Sequence, residues 1–358
     1  MNAANSMLMI GVGTSGCRIA SRIAGDFDGS IRNLLCDTDA TTGQLDGDFV
    51  LLGGNRLSGR GSGGDIVAAR MAVEESIAAL DPELEGVRIA VIVTSLGGGT
   101  GGGATLEILK RLSQRNIPSI VFATTPFAFE GDDRQRKARS VMGMIEDAAS
   151  TSFFLPLDRL TVASDNMKQA FDQAVSTLAQ GITLFWRLLK TPGYIRLDAE
   201  RLRHVLSRAG RGRFAAVEAS GPDRAARALD ALLTNESLSS GTTTIRAILC
   251  GVLAGDDLRL TEISTLANGI RKAFGETAQF ELATVNDEAT FSGRISTVVM
   301  LFEFSKVDES ATKARKIQSV LAPGAKSRGR FQNSESTLWH GENMDEPTYL
   351  RKSISLDL

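Results

Sequence analysis

The chain has 358 residues, 42% apolar and 23% charged, ordinary proportions for a globular protein with room for two domains. Its net charge of −2 gives no electrostatic ground for nucleic-acid binding. Three scattered cysteines (Cys17, Cys36, Cys250), two histidines and no CxxC argue against a disulfide framework or structural zinc and fit a reducing cytoplasm. The first residues lack the basic-then-apolar pattern of a leader, and no segment reaches membrane-spanning length, so direct membrane insertion is not expected.

In chain order, the apolar run Met7–Ile10 predicts a strand, followed by Gly11, Gly13 and Gly16 in a GxGxxG spacing with Thr14 and Ser15 between them. A second strand, Ile31–Leu35, leads to Asp37 and Asp39. A second glycine-rich stretch, 59–64, contains Gly61, Ser62 and Gly63 and precedes a helical pattern at Ile66–Leu80. Strand Ile89–Thr94 runs into Gly97-Gly98-Gly99-Thr100-Gly101-Gly102-Gly103, with a helix expected from about Ala104; strand Ser119–Thr124 follows. Short strands alternating with helices predict an α/β, Rossmann-like parallel sheet whose ligand lies beyond the strands' C-terminal ends. Apolar residues then recur every three or four positions from Asn166 to Lys190, predicting one long central helix of about 36 Å. Strands at Thr244–Leu253, Gln279–Val285 and Ile295–Glu303, with a helix at Thr261–Phe274, predict a second α/β domain. The expected division is 1–165, 166–190, 191–304, a flexible linker 305–343 and a tail 344–358.

Six glycines in seven positions sacrifice backbone entropy and packing, which suits a backbone that must approach an anionic ligand and point N–H groups at it. GxGxxG with Asp37 or Asp39 as a ribose-binding acid also fits a nicotinamide-dependent oxidoreductase. Three glycine-rich loops exceed the needs of one pyrophosphate and suit a ligand with several consecutive phosphates. A Walker P-loop is excluded, because GxxxxGK[ST] does not occur.

The same segments resemble the FtsZ family of tubulin-like GTPases. Leu96–Ala104 (LGGGTGGGA) is similar to the family's MGGGTGTGA, with Gly102 at its second threonine. IGVGTSGC at 10–17, DTDA at 37–40, GRGSGGD at 59–65 and TPFAFEGDDR at 125–134 resemble successive family loops, as AGDDLRL at 254–260 does later. The tail, DEPTYLRK at 345–352, resembles the family's C-terminal peptide. The resemblance implies GTP and Mg2+ as ligands, with Gly97 to Gly102, Thr100, the first glycine loop and Gly61–Gly63 on the phosphates and Glu130 and Arg134 near ribose and base. It further implies head-to-tail self-assembly, a place at the division site, and docking of membrane-tethering adaptors through Asp345, Pro347, Tyr349, Leu350 and Arg351.

Three departures bear on chemistry. Leu157 stands where the family has a guanine-reading Asn, and Ser176 (or Gln173 or Asp172 in another register) where it has an Asp on the central helix. Arg18 replaces an Asn after the first glycine loop and is expected on a phosphate or in solvent. In the loop by which the family completes a neighbour's site, Asp198 is kept but Arg196 and Arg201 replace an Asn and an Asp. Asp198 and Arg201 are the candidate catalytic residues. Arg201 could neutralise the transferring phosphoryl, pair with Asp198, or form a salt bridge between subunits. The alternative function is a nucleotide-binding structural filament protein with weak or no hydrolysis.

Overall fold

The computed structural model describes residues 7–25, 32–160, 166–191, 193–197, 199–206, 209–239, 244–304, 338–339 and 342–343. Contacts gather residues 1–305 into one unit and 306–358 into another. In the second, the described residues are two strands, Leu338–Trp339 and Glu342–Asn343, paired antiparallel within the stretch expected to be linker.

The first unit is built on one ten-stranded sheet. Its strands are β1 (Met7–Val12), β2 (Arg32–Asp37), β3 (Asp48–Leu51), β4 (Ile89–Ser95), β5 (Ser119–Thr125), β6 (Thr151–Pro156), β7 (Ala209–Ser220), β8 (Ile245–Ala254), β9 (Gln279–Asn286) and β10 (Arg294–Phe304), in the order 3-2-1-4-5-6-7-10-8-9. Neighbours are parallel from β3 to β7; β10 is antiparallel to β7 and β8, and β8 is parallel to β9. The predicted strands all occur, while β3, β6 and β7 have no counterpart in the sequence reading. The expected second α/β domain therefore continues the first sheet, joined through β6 and β7.

The helices follow as α1 (Gly13–Gly25), α2 (Gly54–Leu57), α3 (Ile66–Ser76), α4 (Gly99–Gln114), α5 (Asp132–Ala148), α6 (Leu157–Leu160), α7 (Met167–Lys190), α8 (Ala199–Leu206), α9 (Arg224–Leu233), α10 (Glu236–Ser239), α11 (Leu260–Phe274) and α12 (Glu288–Phe291). Alternation along the strands feeds two apolar layers. Met7, Met9, Val91 and Val93 face α1 and α7, whereas Leu8, Ile10, Ala90 and Ile92 face α3, α4 and α5. Strands covered on both faces must be apolar throughout, which is why β1 and β4 read as unbroken runs. Asn166 caps α7 by accepting from the Lys168 backbone N–H at 2.9 Å. Val175, Leu178, Ile182, Phe185 and Leu188 pack it on strands of both sheet halves. A third layer sets α9 and α11 against β7, β8 and β10. No described helix is long and apolar enough to cross a membrane.

One expectation is corrected. The helix after β4 begins at Gly99, five residues before the expected Ala104, so most of the glycine run is the first turn of α4. Glycine disfavours helix by about 1 kcal/mol relative to alanine. Packing overrides that preference: a Cβ on Gly101 would lie 2.1 Å from the Ser95 carbonyl oxygen, and one on Gly103 2.4 Å from that of Ile66.

Candidate functional site

The strand order reverses between β1 and β4, and the helices that follow these two strands, α1 and α4, start at the same edge. Gly13, with φ of 73°, turns the chain from β1 into α1, and a Cβ there would sit 3.1 Å from the Gly101 backbone N. Two helix starts thus lie side by side at the switch point, where ligands of open α/β sheets bind. Gly98 caps α4 without a side-chain hydrogen bond, so the N–H groups of its first turn have no internal acceptor. This edge opens into a cleft of about 1330 Å³.

Most predicted site residues line this cleft. From the first loop come Gly13, Thr14, Ser15 and Arg18; from the second and third, Asp37, Asp39, Gly61, Ser62 and Gly63. Gly97 through Gly101 form its floor, with Glu130 and Arg134 at one side. Gly11 and Gly16 instead lie beneath it: Cβ atoms there would meet Cys17 Cα at 2.8 Å and the Val93 oxygen at 2.5 Å. Gly102 faces Val141 of α5. These three are packing glycines, which lets the two helices approach the sheet.

Hydroxyls from three loops meet over the start of α4. Thr100 Oγ1 lies 2.7 Å from Thr38 Oγ1 and 3.1 Å from Ser62 Oγ. Asp37 is 1% exposed and accepts from Thr14 Oγ1 at 2.8 Å, Thr42 Oγ1 at 2.6 Å and the Thr38 N–H at 2.7 Å. Those donors make it a positioning group for Thr14 and the following turn. Asp39 is half-buried and caps that turn through the Thr41 hydroxyl and N–H, which hold its carboxyl below the usual range.

Charge is divided unevenly around the cleft. Arg134 pairs with Glu130, and Lys137 with Asp133 at 2.8 Å. Arg18, Arg60 and Lys168 also line the cleft and have no acidic partner among the described residues. Arg18 thus lies at the cleft with an exposed side chain, a position compatible with both of its anticipated readings. Two uncompensated guanidinium groups, one ammonium and two helix starts make a site for a polyanion.

At one end, Phe127 and Phe129 stack with centroids 4.9 Å apart, and Phe129 is 64% exposed. Leu157 is buried against Phe127 and Ala174 and brings no polar group. Ser176 is not brought to the cleft. It accepts from Arg22 Nη2 at 3.1 Å and donates to the Asp172 carbonyl at 2.8 Å, joining α7 to α1. Asp172 likewise faces Arg22, 3.7 Å away. The α7 residue that lines the cleft is Lys168, which no sequence signal marked. Arg60 and the two phenylalanines lay inside segments already singled out, where the glycines drew attention away from them.

The catalytic candidates divide. Asp198 lies outside the described residues, as do the tail residues Asp345, Pro347, Tyr349, Leu350 and Arg351. Arg201, on α8, does not line the cleft; its Nη1 lies 3.7 Å from Glu281 Oε2 of β9 and it stays 69% exposed. No group of three or more potential metal ligands occurs among the described residues.

A family model described as "Tubulin/FtsZ family, GTPase domain" matches residues 6–165. The cell division protein FtsZ of Pseudomonas aeruginosa is 28% identical over 351 residues, covering 96% of this chain and 88% of the relative. That of Rhizobium radiobacter is 30% identical over 257 residues, 71% of this chain but 44% of the relative, so the match spans less than half of that protein. Among solved structures, an empty FtsZ dimer from M. jannaschii superposes with a TM-score of 0.78 at 20% identity, covering 83% of this chain and 88% of that one. A GTPγS-bound protofilament of CetZ2 from Haloferax volcanii gives 0.71 at 21%, covering 88% and 100%. At these identities the structural likeness concerns the fold.

Proposed function

We propose that the chain, whose residues 6–165 match the Tubulin/FtsZ GTPase-domain model, is an FtsZ-like GTPase that polymerises head to tail and hydrolyses GTP at the subunit junction in cell division. One observation carries the reading: the starts of α1 and α4, the hydroxyls of Ser62 and Thr100, and the cations Arg18, Arg60 and Lys168, without an acidic partner among the described residues, converge on a single cleft drawn mostly from residues 6–165. The first-turn N–H groups of α4 hold phosphate oxygens, and Ser62 and Thr100 reorient their hydroxyls onto the terminal phosphate, with the buried Thr38 hydroxyl supporting Thr100. The exposed Phe129 ring offers the base a stacking face. Glu130 and Arg134, already joined, meet the ribose side. Mg2+, if bound with the phosphates, would be held by the half-buried Asp39 carboxylate and would offset phosphate charge.

Asp198 and Arg201 act on the nucleotide of the adjoining subunit, Asp198 orienting water and Arg201 offsetting phosphoryl charge. Such a contact joins unlike surfaces and propagates as an open filament. Membrane-tethering adaptors take the tail at 345–351 and bring the filament to the division site. The test is filament pelleting with GTP, GDP and a non-hydrolysable GTP analogue, alongside phosphate release. GTP-dependent pelleting with release above the assembly concentration is expected; absence of GTP binding overturns the reading.

A second reading, a filament protein with little hydrolysis, is favoured by the contact of Arg201 with Glu281 within its own chain. Pelleting without phosphate release selects it. Leu157 and Ser176 supply no base-reading group in the cleft, so ATP is expected to compete with GTP within roughly a hundredfold in affinity, where a hydrogen-bonded pocket discriminates far more strongly.

A further inference from the structure

A second crevice, of about 240 Å³, opens where the two halves of the sheet meet. β6 and β7 pair at only two positions, Ser152 with Arg211 and Phe153 with Gly212, whereas β5 and β6 pair at six. Beyond those two positions the strands part, and the gap is roofed by α5. Four arginines line it: Arg139 of α5, Arg159 of α6, and Arg211 and Arg213 of β7. Arg211 and Arg213 alternate along one strand and therefore share a face. Among the described residues, no carboxylate lines the crevice.

The neighbouring acids offset the charge of Arg213 and part of that of Arg211, and leave Arg139 without an acidic partner among the described residues. Arg213 has a side chain only 10% exposed; it donates to the Leu238 carbonyl at 3.0 Å and sets Nη2 2.6 Å from Glu303 without hydrogen-bond alignment. Arg211 stays half exposed, its guanidinium 6.0 Å over the Phe154 ring and 3.6 Å from Glu146. Burial, the larger influence, raises the Glu146 carboxyl above its usual value, and the nearby Arg211 opposes that shift. Arg139 has no partner among the described residues. Clustered guanidinium groups repel one another, and planar oxyanions satisfy them bidentately. Phe154, Leu155 and Pro156 add an apolar wall.

We infer that this crevice is a binding site for a small organic oxyanion, a phosphate monoester or a dicarboxylate of a few carbons, held by Arg139 and Arg211 against the apolar wall. Its volume is below the range of about 300–1,000 Å³ usual for larger ligands and excludes a nucleotide. The site is connected to the nucleotide cleft. Gln135 lines the crevice and donates Nε2 to the carbonyls of Pro126 and Phe127, at 2.8 and 3.1 Å, and so holds the loop that carries the stacked phenylalanines. An anion bridging α5 and β7 would thereby bias both the cleft and the joint between the sheet halves.

The test is calorimetric titration of the full chain, with GDP saturating the main cleft, by sodium phosphate and by sodium succinate against sodium chloride of equal ionic strength. One-to-one binding of either oxyanion is expected, phosphate alone indicating a phosphate ester and succinate alone a dicarboxylate. Arg139→Ala and Arg211→Ala should each weaken it by roughly tenfold, the scale of one lost charged hydrogen bond. Arg139 is exposed and unpaired, so its variant should fold and keep its GDP affinity. Binding no stronger than chloride, or binding indifferent to both substitutions, overturns the proposal. Should the chain take no GDP, dependence on Arg139 and Arg211 still separates this crevice from the cleft.

Discussion

Asp37 shows how a residue can belong to a site without reaching its ligand. Its type and position suggested a ribose-binding acid, yet three donors occupy its carboxylate in a buried setting. Replacing it with alanine leaves the Thr38 N–H and two hydroxyls without their acceptor, and buried unsatisfied groups cost about 1–3 kcal/mol each. Partial rotation of the hydroxyls recovers some of this. Asp37→Ala should therefore lose roughly 3 kcal/mol in urea unfolding, together with at least tenfold in GTP affinity through the misplaced Thr14. Unchanged stability with weakened binding would instead make Asp37 a direct ligand group. Gly101 gives a second test at this scale. A Cβ there would strike the Ser95 carbonyl oxygen, a backbone atom that cannot rotate away. Gly101→Ala should displace the first turn of α4 and weaken GTP binding by at least tenfold, read by nucleotide titration, while far-ultraviolet circular dichroism reports a retained fold.

At the scale of elements, α7 is tied to the second half of the sheet by Arg187, which donates to Asp287 at 3.0 Å and to Thr290 Oγ1 at 3.3 Å. The Thr290 hydroxyl, which donates to it, and then the nearby Arg187 hold the Asp287 carboxyl below its usual 3.8. A carboxyl depressed in the folded state contributes stability that is present above the unfolded value and lost as pH falls through the folded one. Unfolding followed by calorimetry below pH 4 should therefore show acid destabilisation that Asp287→Asn reduces; an unchanged acid limb would remove Asp287 from the account. The apolar side of α7 was legible because its spacing repeats over six turns. β1, β4 and β5 were legible as unbroken apolar runs, since helices cover both faces. β7 was not, because Gly210, Arg211, Gly212 and Arg213 interrupt any apolar run while alternation sends both arginines to one face. The start of α4 was misplaced because local preference reads glycine as loop, whereas the decisive term is crowding by Ser95, Asp65 and Ile66 from elsewhere in the chain. In the cleft, the glycines and hydroxyls could be read from their motifs. Lys168 could not, since only the docking of α7 beside α1 brings it to the cleft.

At the scale of the whole molecule, the cleft and α8 are separate features of one subunit, so any joint action on a nucleotide requires two copies. Arg201 contacts Glu281 of its own chain at 3.7 Å and lines no part of the cleft, but its 69% exposure leaves it within reach of a neighbour. If it completes the neighbour's site, Arg201→Ala should keep its GTP affinity as a subunit and lose at least tenfold in phosphate release above the assembly concentration, a conservative figure beside the larger effects of arginine fingers. Gly101→Ala has the reciprocal defect: its own cleft is impaired while its α8 surface is intact. Mixed in equal amounts, the two variants create junctions pairing an intact cleft with an intact Arg201. Phosphate release in the mixture should exceed the sum of the separate variants several-fold, with the proportion of active junctions set by the mixing ratio. Simple additivity at every ratio, in mixtures that still pellet together, would place the hydrolytic groups within one subunit. Release by Arg201→Ala equal to that of the unaltered chain would leave the guanidinium as an anchor to Glu281 and confine phosphoryl chemistry to other groups at the junction.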